Sequence, residues 1–334
     1  PWCAMTLADL GAEVIKVESF AGDDTRGMGP PYIGTISAYF SCANRSKRSI
    51  CIDLHKPESA EVMRALVAEA DILIENFRTG TAERLGVGYD ELSAINPRLI
   101  YCSITGYGRE GPAAKRAGYD YAVQAEGGLM SITGSREGTP SKVAVAVVDL
   151  AAGQNATIAV LAALQQRHST GRGQHVSISL FDTQLSWLAN IGAGVLFTGQ
   201  DAPRFGNEHA SIVPYQAFSA LDQPFVLTVG NEKLWQALCQ TIKHPEWISD
   251  PRFCNNSQRV INREIVTDYL QNIFATQTIK YWLTEFEKNG IPSAPINSVK
   301  QALESNLARS NESVFIANGI PMVKSALKLS DSAI

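Results

Sequence analysis

The stretch that decides the fold is "RLIYCSITGYGREGPAAKRAGYD", residues 98–120. Its first half is β-rich and nearly all apolar, the pattern of a strand buried on both faces. It runs into Gly106-Tyr107-Gly108-Arg109-Glu110-Gly111, which matches the dinucleotide fingerprint G-x-G-x-x-G letter for letter. That fingerprint requires a helix opening at the third glycine and an acidic residue closing the next strand about 20 residues on. Here Pro112 follows at once, the segment breaks at Gly118, and no second strand arrives before Gly127-Gly128. The glycines therefore mark a loop after a strand, lining a ligand site, and not a dinucleotide-binding turn.

Upstream, helices and strands alternate. "AMTLADLGAEVIKVE" reads as an amphipathic helix, a stop at Gly11 and a strand ending at Glu18. A helix ("ISAYFSCAN"), a strand ("RSICIDL"), a helix opened by Pro57 and a short strand ("DILIENF") follow. Downstream come the apolar run Val143–Val148, a long helix, the strand "HVSISL" and a hydrophobic helix, "TQLSWLANIGAGVLF". This alternation predicts an α/β fold with a doubly wound, Rossmann-like parallel sheet over residues 1–198. Composition shifts at "GQDAPRFGNEHASI", and a hairpin and polar helices then predict a smaller α+β domain over residues 199–305. Residues 306–334, with "GIPMVKSALKLSD", read as a strand returning to the large domain.

With 334 residues, 45% hydrophobic content and a net charge of −4, the chain has no electrostatic reason to bind nucleic acid or an acidic membrane. No apolar run reaches the ~18 residues of a membrane span. The six cysteines lack Cys-x-x-Cys spacing and read as reduced, mostly buried thiols, which points to the cytoplasm, with the mitochondrial matrix as the alternative. The five histidines show no His-x-x-x-His pairing, so no metal site is expected. The chain also begins abruptly at Pro1, inside what reads as a helix, so the true N-terminus is expected to be missing.

Asp149 is the most unusual position, a lone aspartate between Val148 and Leu150-Ala151-Ala152. The common role for such a residue is a helix N-cap, contributing about 1 kcal/mol. A partly desolvated carboxylate at a strand-to-helix junction can also attack an activated acyl carbon, and the two roles are compatible. Cations for an anionic ligand are Arg26, Arg45, Lys47, Arg48, Arg78, Arg84 and Arg116, with Arg78 and Arg116 favoured because they follow strands. His209 lies in a candidate interdomain loop beside Ser211 and Pro214.

Taken in order and spacing, "LADLGAEVIKVE", "GDDTR", "NRSKRSICIDL", "ENFRTG", "LIYCSITGYGREGP", "RAGYD", "GGLMSITG", "VAVVDLAAG" and "NGIPSAPINSV" resemble the family III CoA-transferases over nearly the whole chain. Within that family, "FGNEHASIVPYQAF" is most similar to the succinyl-CoA-dependent dicarboxylate (glutarate-type) enzymes. The resemblance implies acyl-CoA as substrate, no permanently bound cofactor, and an interlocked homodimer. It places the nucleophile on Asp149. Its CoA contacts fall on Ile52, Asp53, Leu54 and His55, on Asn76, Phe77, Arg78 and Arg84, and on Arg116, Ala117, Gly118 and Tyr119. The loop closing over the acyl site falls on about His209 to Pro214, and oxyanion donors are expected near Gly127-Gly128 or in that loop. Two departures stand out. Ser19 occupies the place of an adenine-stacking arginine, and "HASIVPY" replaces the glycine-rich loop of formyl-CoA transferases. Racemases of the same superfamily carry Gly-His-Asp where this chain has Gly118-Tyr119-Asp120, so proton-transfer chemistry is disfavoured. A nucleotide-binding module without chemistry is the alternative from another class, and it predicts indifference to Asp149→Ala.

Overall fold

The structure, a computed structural model, describes residues 1–332. Residues 333 and 334, the end of the predicted return segment, lie outside the described residues. The chain divides into two compact units, the first made of residues 1–131, 141–200 and 306 onward, the second of residues 132–140 and 201–305.

In the first unit, the strands Ile72–Glu75, Ile100–Thr105 and His175–Ser179 form a parallel sheet in that order. The strands Val14–Glu18 and Lys47–Cys51 pair in parallel in a separate ladder. Side chains alternate across the central strand. Ile100 and Cys102 pack with Cys3, Leu7, Ala156 and Val160, from the helices Trp2–Asp9 and Val147–Thr170. Leu99 and Tyr101 pack on the opposite face with Met63, Val67 and Leu92, from the helices Ser59–Glu69 and Tyr89–Ile95. Helices thus cover both faces of the three-stranded sheet, and this double burial explains the unbroken apolar run at its centre.

Several sequence expectations need correction. The helix Val147–Thr170 is long enough, and over an 18-residue stretch apolar enough, to cross a membrane. Its Gln and Asn residues dilute the run to the eye, while Ala, Val, Leu and Ile carry the average. It packs as a core helix against the helix Trp2–Asp9, with Ala152, Ala156 and Val160 buried. Close approach there rests on Gly153, whose added Cβ would lie 2.8 Å from Trp2 Cβ. Residues 141–146 form no strand. The expected single helix at 183–197 is two, Leu180–Trp187 and Ala189–Thr198, parted by Ala189 with φ 45°. Only Cys3, Cys102 and Cys239 are buried; Cys42, Cys51 and Cys254 are exposed, because their helix, strand and loop present that side outward.

The second unit is an antiparallel sheet, ordered Ser293–Pro295, Pro224–Thr228, Tyr215–Ser219, packed on the helices Glu232–Thr241, Arg263–Phe274 and Ile279–Lys288. Its core is aromatic: Phe274 meets Phe218 and Trp282, each at 5.1 Å between ring centres and edge-on. Arg259 is fully buried. Its guanidinium donates to Val213 O (2.8 Å), Phe253 O (2.8 Å) and the Glu232 carboxylate (2.9 and 3.0 Å), and stacks over Trp235. Truncation leaves two carbonyls unpaired, so Arg259→Ala is expected to destabilise the fold by roughly 3–5 kcal/mol, read as a lower urea midpoint. An unchanged midpoint contradicts this assignment.

Candidate active site

Ligands of parallel sheets bind beyond the carboxyl ends of the strands. In the first unit, three of the predicted segments leave the sheets there. After Cys51, Ile52 N–H donates to Glu18 O at 2.8 Å and the Asp53 carboxylate accepts from His55 N–H at 3.1 Å, turning the chain. After Glu75, Asn76 Nδ2 donates to Ile104 O and Phe77 N–H donates to Glu75 Oε2 at 2.6 Å. Ile52, Leu54 and Phe77 all pack against the Leu99–Tyr101 cluster, so the two loops share one foundation. Their half-buried side chains support the backbone, while His55, Asn76, Arg78 and Arg84 face solvent.

The third segment is the glycine loop. A Cβ on Gly106 would lie 2.6 Å from Gly118 Cα, and one on Gly118 would lie 2.5 Å from Gly106 Cα. The two glycines pinch the ends of the loop together. Gly108 N–H donates to Thr105 Oγ1 at 3.1 Å, and Arg109 reaches Glu83 at 2.5 Å and lies 3.7 Å from Glu75. No helix opens at Gly111; the next begins at Asp120. The G-x-G-x-x-G match therefore reflects loop closure, as its missing context indicated. Arg116 donates to Glu126 at 2.8 and 2.7 Å and stacks over Tyr107, whose hydroxyl also donates to Glu126 at 2.8 Å. Ala117 and Tyr119 are exposed.

The seven candidate cations now separate. Arg26 forks onto buried Glu18 (2.8 and 2.7 Å), holding that carboxyl down at about 2. Arg45 pairs with Asp9, Arg48 with Glu13 and Arg116 with Glu126. Lys47 donates to Ala43 O and Asn44 Oδ1, and its burial lowers its pKa to about 8. Among the described residues, Arg78 and Arg84 have no acidic partner. Arg84 donates only to Thr81 Oγ1, at 3.0 Å. These two are the cations open to an anion.

Asp149 is not the N-cap expected from sequence. The helix starts at Val147 with Ala146 in the cap position, which places Asp149 in the first turn. The capping is done by Asp120, the first residue of the helix Asp120–Glu126: its Oδ1 accepts from Val148 N–H at 2.8 Å and from Asp149 N–H at 3.4 Å. Asp149 itself is exposed, and among the described residues its carboxylate has no hydrogen-bond or ion-pair partner. Desolvation by the surrounding protein, and then the neighbouring Asp120 charge, raise its pKa to about 6. Val148 packs with Val123, Ile104 and Tyr107, so the start of this helix shares a cluster with the glycine loop. Tyr39, half exposed, faces the same carboxylates: its phenol is raised by burial and then by Asp149.

Tyr39, Asp120 and Gln124 escape the sequence reading. Asp120 directly follows Tyr119, but nothing local says that it caps a helix 28 residues on. The oxyanion expectation at Gly127-Gly128 fails, because Gly127 N–H donates to Val123 O at 2.8 Å and Gly128 N–H to Ala125 O at 3.4 Å, closing the helix end.

His209, Ser211 and Pro214 belong to the second unit. His209 Nδ1 accepts from Ser211 N–H at 3.1 Å, and its backbone N–H donates to Tyr215 O at 2.9 Å. Arg263 donates to His209 O (2.8 Å) and Ala210 O (3.1 Å), while Asn256 donates to Ser211 O (2.8 Å). Pro214 is buried beneath this loop. The loop is therefore fastened from below by side chains.

The first unit thus carries strand-end loops, two arginines that have no acidic partner among the described residues, and an exposed carboxylate whose pKa is raised. The profile of CoA-transferase family III matches residues 1–333, and the chain belongs to that family. It is 41% identical over 323 residues to the mouse succinyl-CoA:glutarate CoA-transferase, covering 96% of this chain and 72% of the mouse protein. It is also 41% identical to the succinate–glutarate CoA-transferase of Agrobacterium fabrum, covering 90% and 77%. A CaiB/BaiF family protein from Brucella suis superposes with a TM-score of 0.87 at 42% identity, covering all of this chain and 89% of that one. The protein is an enzyme of the CoA-transferase type, acting on acyl-CoA.

Proposed function

We propose that this enzyme moves CoA from succinyl-CoA to glutarate or a similar short dicarboxylate, with Asp149 as the covalent nucleophile. One observation carries the assignment of Asp149: its carboxylate is exposed and, among the described residues, without a donor, on a helix start that shares a cluster with the glycine loop. A carboxylate relieved of hydrogen bonds is less stabilised and more nucleophilic than one held by N–H groups.

An Asp149 oxygen attacks the thioester carbonyl, the C–S bond breaks, and CoA leaves as thiolate from a mixed anhydride. The thiolate attacks Cγ of Asp149 and expels the donor carboxylate, leaving an aspartyl–CoA thioester. The acceptor carboxylate attacks that Cγ and releases the thiolate again. The thiolate then attacks the acceptor's acyl carbon, forming the new acyl-CoA and restoring the carboxylate. Every step is substitution at a carbonyl, and no electrons pass to an external acceptor.

The segments Ile52–His55, Asn76–Arg78 and Arg116–Tyr119, with Arg84, hold CoA in this proposal, and the His209–Pro214 loop closes over the acyl group. Arg78 and Arg84 meet the phosphates. Alanine at either is expected to raise KM for succinyl-CoA about tenfold with little change in kcat, the loss of one charge-assisted hydrogen bond. An unchanged KM for both variants removes them from the binding site. A homodimer is supported by the bare apolar surface of the helix Ala189–Thr198, where Leu196 and Phe197 are 85% and 90% exposed. The test of the reaction is glutarate-dependent formation of glutaryl-CoA from succinyl-CoA. Its absence, with dicarboxylates of neighbouring length also inert, sinks the substrate assignment.

A further inference from the structure

Helix starts leave backbone N–H groups without partners, and a local Ser, Thr, Asp or Asn commonly satisfies them. The helix Val147–Thr170 has none: Ala146 stands at its cap position, with no side-chain hydrogen bond. Asp120, 28 residues before Val148, supplies the acceptor from a different helix. Its other oxygen accepts from Gln124 Nε2 at 2.7 Å, and Gln124 Oε1 accepts from Val143 N–H at 2.9 Å. Gln124 is fully buried. The two side chains thus hold the segment entering the helix and the helix start from one rigid element.

We propose that Asp120, fixed by Gln124, is a positioning residue for acyl transfer: by capping the helix from outside it orients Asp149 and occupies the amides that would otherwise hold the Asp149 carboxylate. An aspartate in the first turn of an uncapped helix can fold back onto those N–H groups. With Asp120 seated there, the Asp149 carboxylate faces outward. The inference rests on the nucleophile assigned above. The titratable side chains that face Asp149 are Asp120 and Tyr39, so removing Asp120 also removes the one carboxylate beside it.

The test uses the full chain and three variants: Asp120→Ala, Asp120→Asn/Gln124→Glu and Asp149→Ala. The double variant keeps every hydrogen bond and reverses only the one between the two side chains: the introduced amide donates to the introduced carboxylate, while its oxygen still accepts from Val148 N–H and the carboxylate from Val143 N–H. Succinyl-CoA is added with hydroxylamine, the rate of hydroxamate formation on Asp149 is followed at several pH values around 6, and amide exchange of the peptide spanning Val148 and Asp149 is measured by mass spectrometry. Asp120→Ala is expected to slow labelling about tenfold or more at saturating succinyl-CoA, leave half-saturation unchanged, and speed exchange at the helix start. The double variant recovers the slow exchange and most of the rate. Labelling of Asp120→Ala at the unsubstituted rate, or slowed labelling without faster exchange, overturns the inference while leaving the nucleophile intact. Absence of label on Asp149 in the unsubstituted chain overturns the nucleophile and the inference together.

Discussion

Replacing Asp149 by alanine or asparagine reduces CoA transfer by on the order of a thousandfold or more, because no other group takes over a covalent step. Binding of succinyl-CoA survives, since Asp149 is not among the groups proposed to hold the CoA moiety. The pH dependence follows from the raised carboxyl. Only the anion attacks, so transfer rises with pH through about 6 and levels off above it. Stability runs the other way. Folded Asp149 keeps its proton to higher pH than the unfolded chain does, so the native state is progressively penalised between about 4 and 6. Asp149→Asn is therefore expected to melt higher than the unsubstituted protein at neutral pH and at the same temperature near pH 4. Equal melting temperatures at both pH values contradict the raised carboxyl, and an active Asp149→Ala contradicts the nucleophile.

The second large effect is expected at Gly118. A methyl there would stand 2.5 Å from Gly106 Cα and 3.3 Å from the Tyr107 ring, and neither backbone can yield without moving the other. Gly118→Ala, like Gly106→Ala, is expected to cost roughly 2–3 kcal/mol of stability, in the range for overpacking a closed contact. It also displaces Arg116 on one side of the pinch and Tyr119 and Asp120, with its cap, on the other, so both succinyl-CoA affinity and turnover fall. Gly108 is the control. It has φ +88° with open space around it, so alanine there meets only backbone strain of about 1 kcal/mol. If Gly118→Ala and Gly108→Ala prove equally mild in urea unfolding, the pinch is not what holds the loop.

These residues also mark where the sequence was legible. The strands of the parallel sheet were, because Val, Ile and Leu runs with helices between them leave few alternatives, and "RLIYCSI" lies where both its faces are covered; the apolar run before Asp149 was the exception. The rejection of the dinucleotide fingerprint was legible too, since it needed only the absence of a helix after Gly111. The reason for the glycines was not. Nothing local says that Gly106 and Gly118 touch, and only the returning chain makes a side chain impossible at both. The same holds for the cap. Asp149 looked like its own N-cap because three apolar residues hide the true start of the helix, and the residue that does the capping lies on another helix. Likewise, Arg78 and Arg116 were favoured among seven cations, and the sequence did not show that Glu18, Asp9, Glu13 and Glu126 claim four of the seven, Arg116 included. The membrane-like composition of the long helix expresses its place in the core, which a hydropathy average does not distinguish from a lipid setting.

The decisive experiment is to incubate the protein with succinyl-CoA, quench with hydroxylamine and map the modified peptide by mass spectrometry. A hydroxamate on Asp149, absent without succinyl-CoA and absent in Asp149→Ala, is the predicted result. A hydroxamate on another carboxylate, or none in a sample that converts succinyl-CoA and glutarate to glutaryl-CoA, would contradict the covalent role of Asp149.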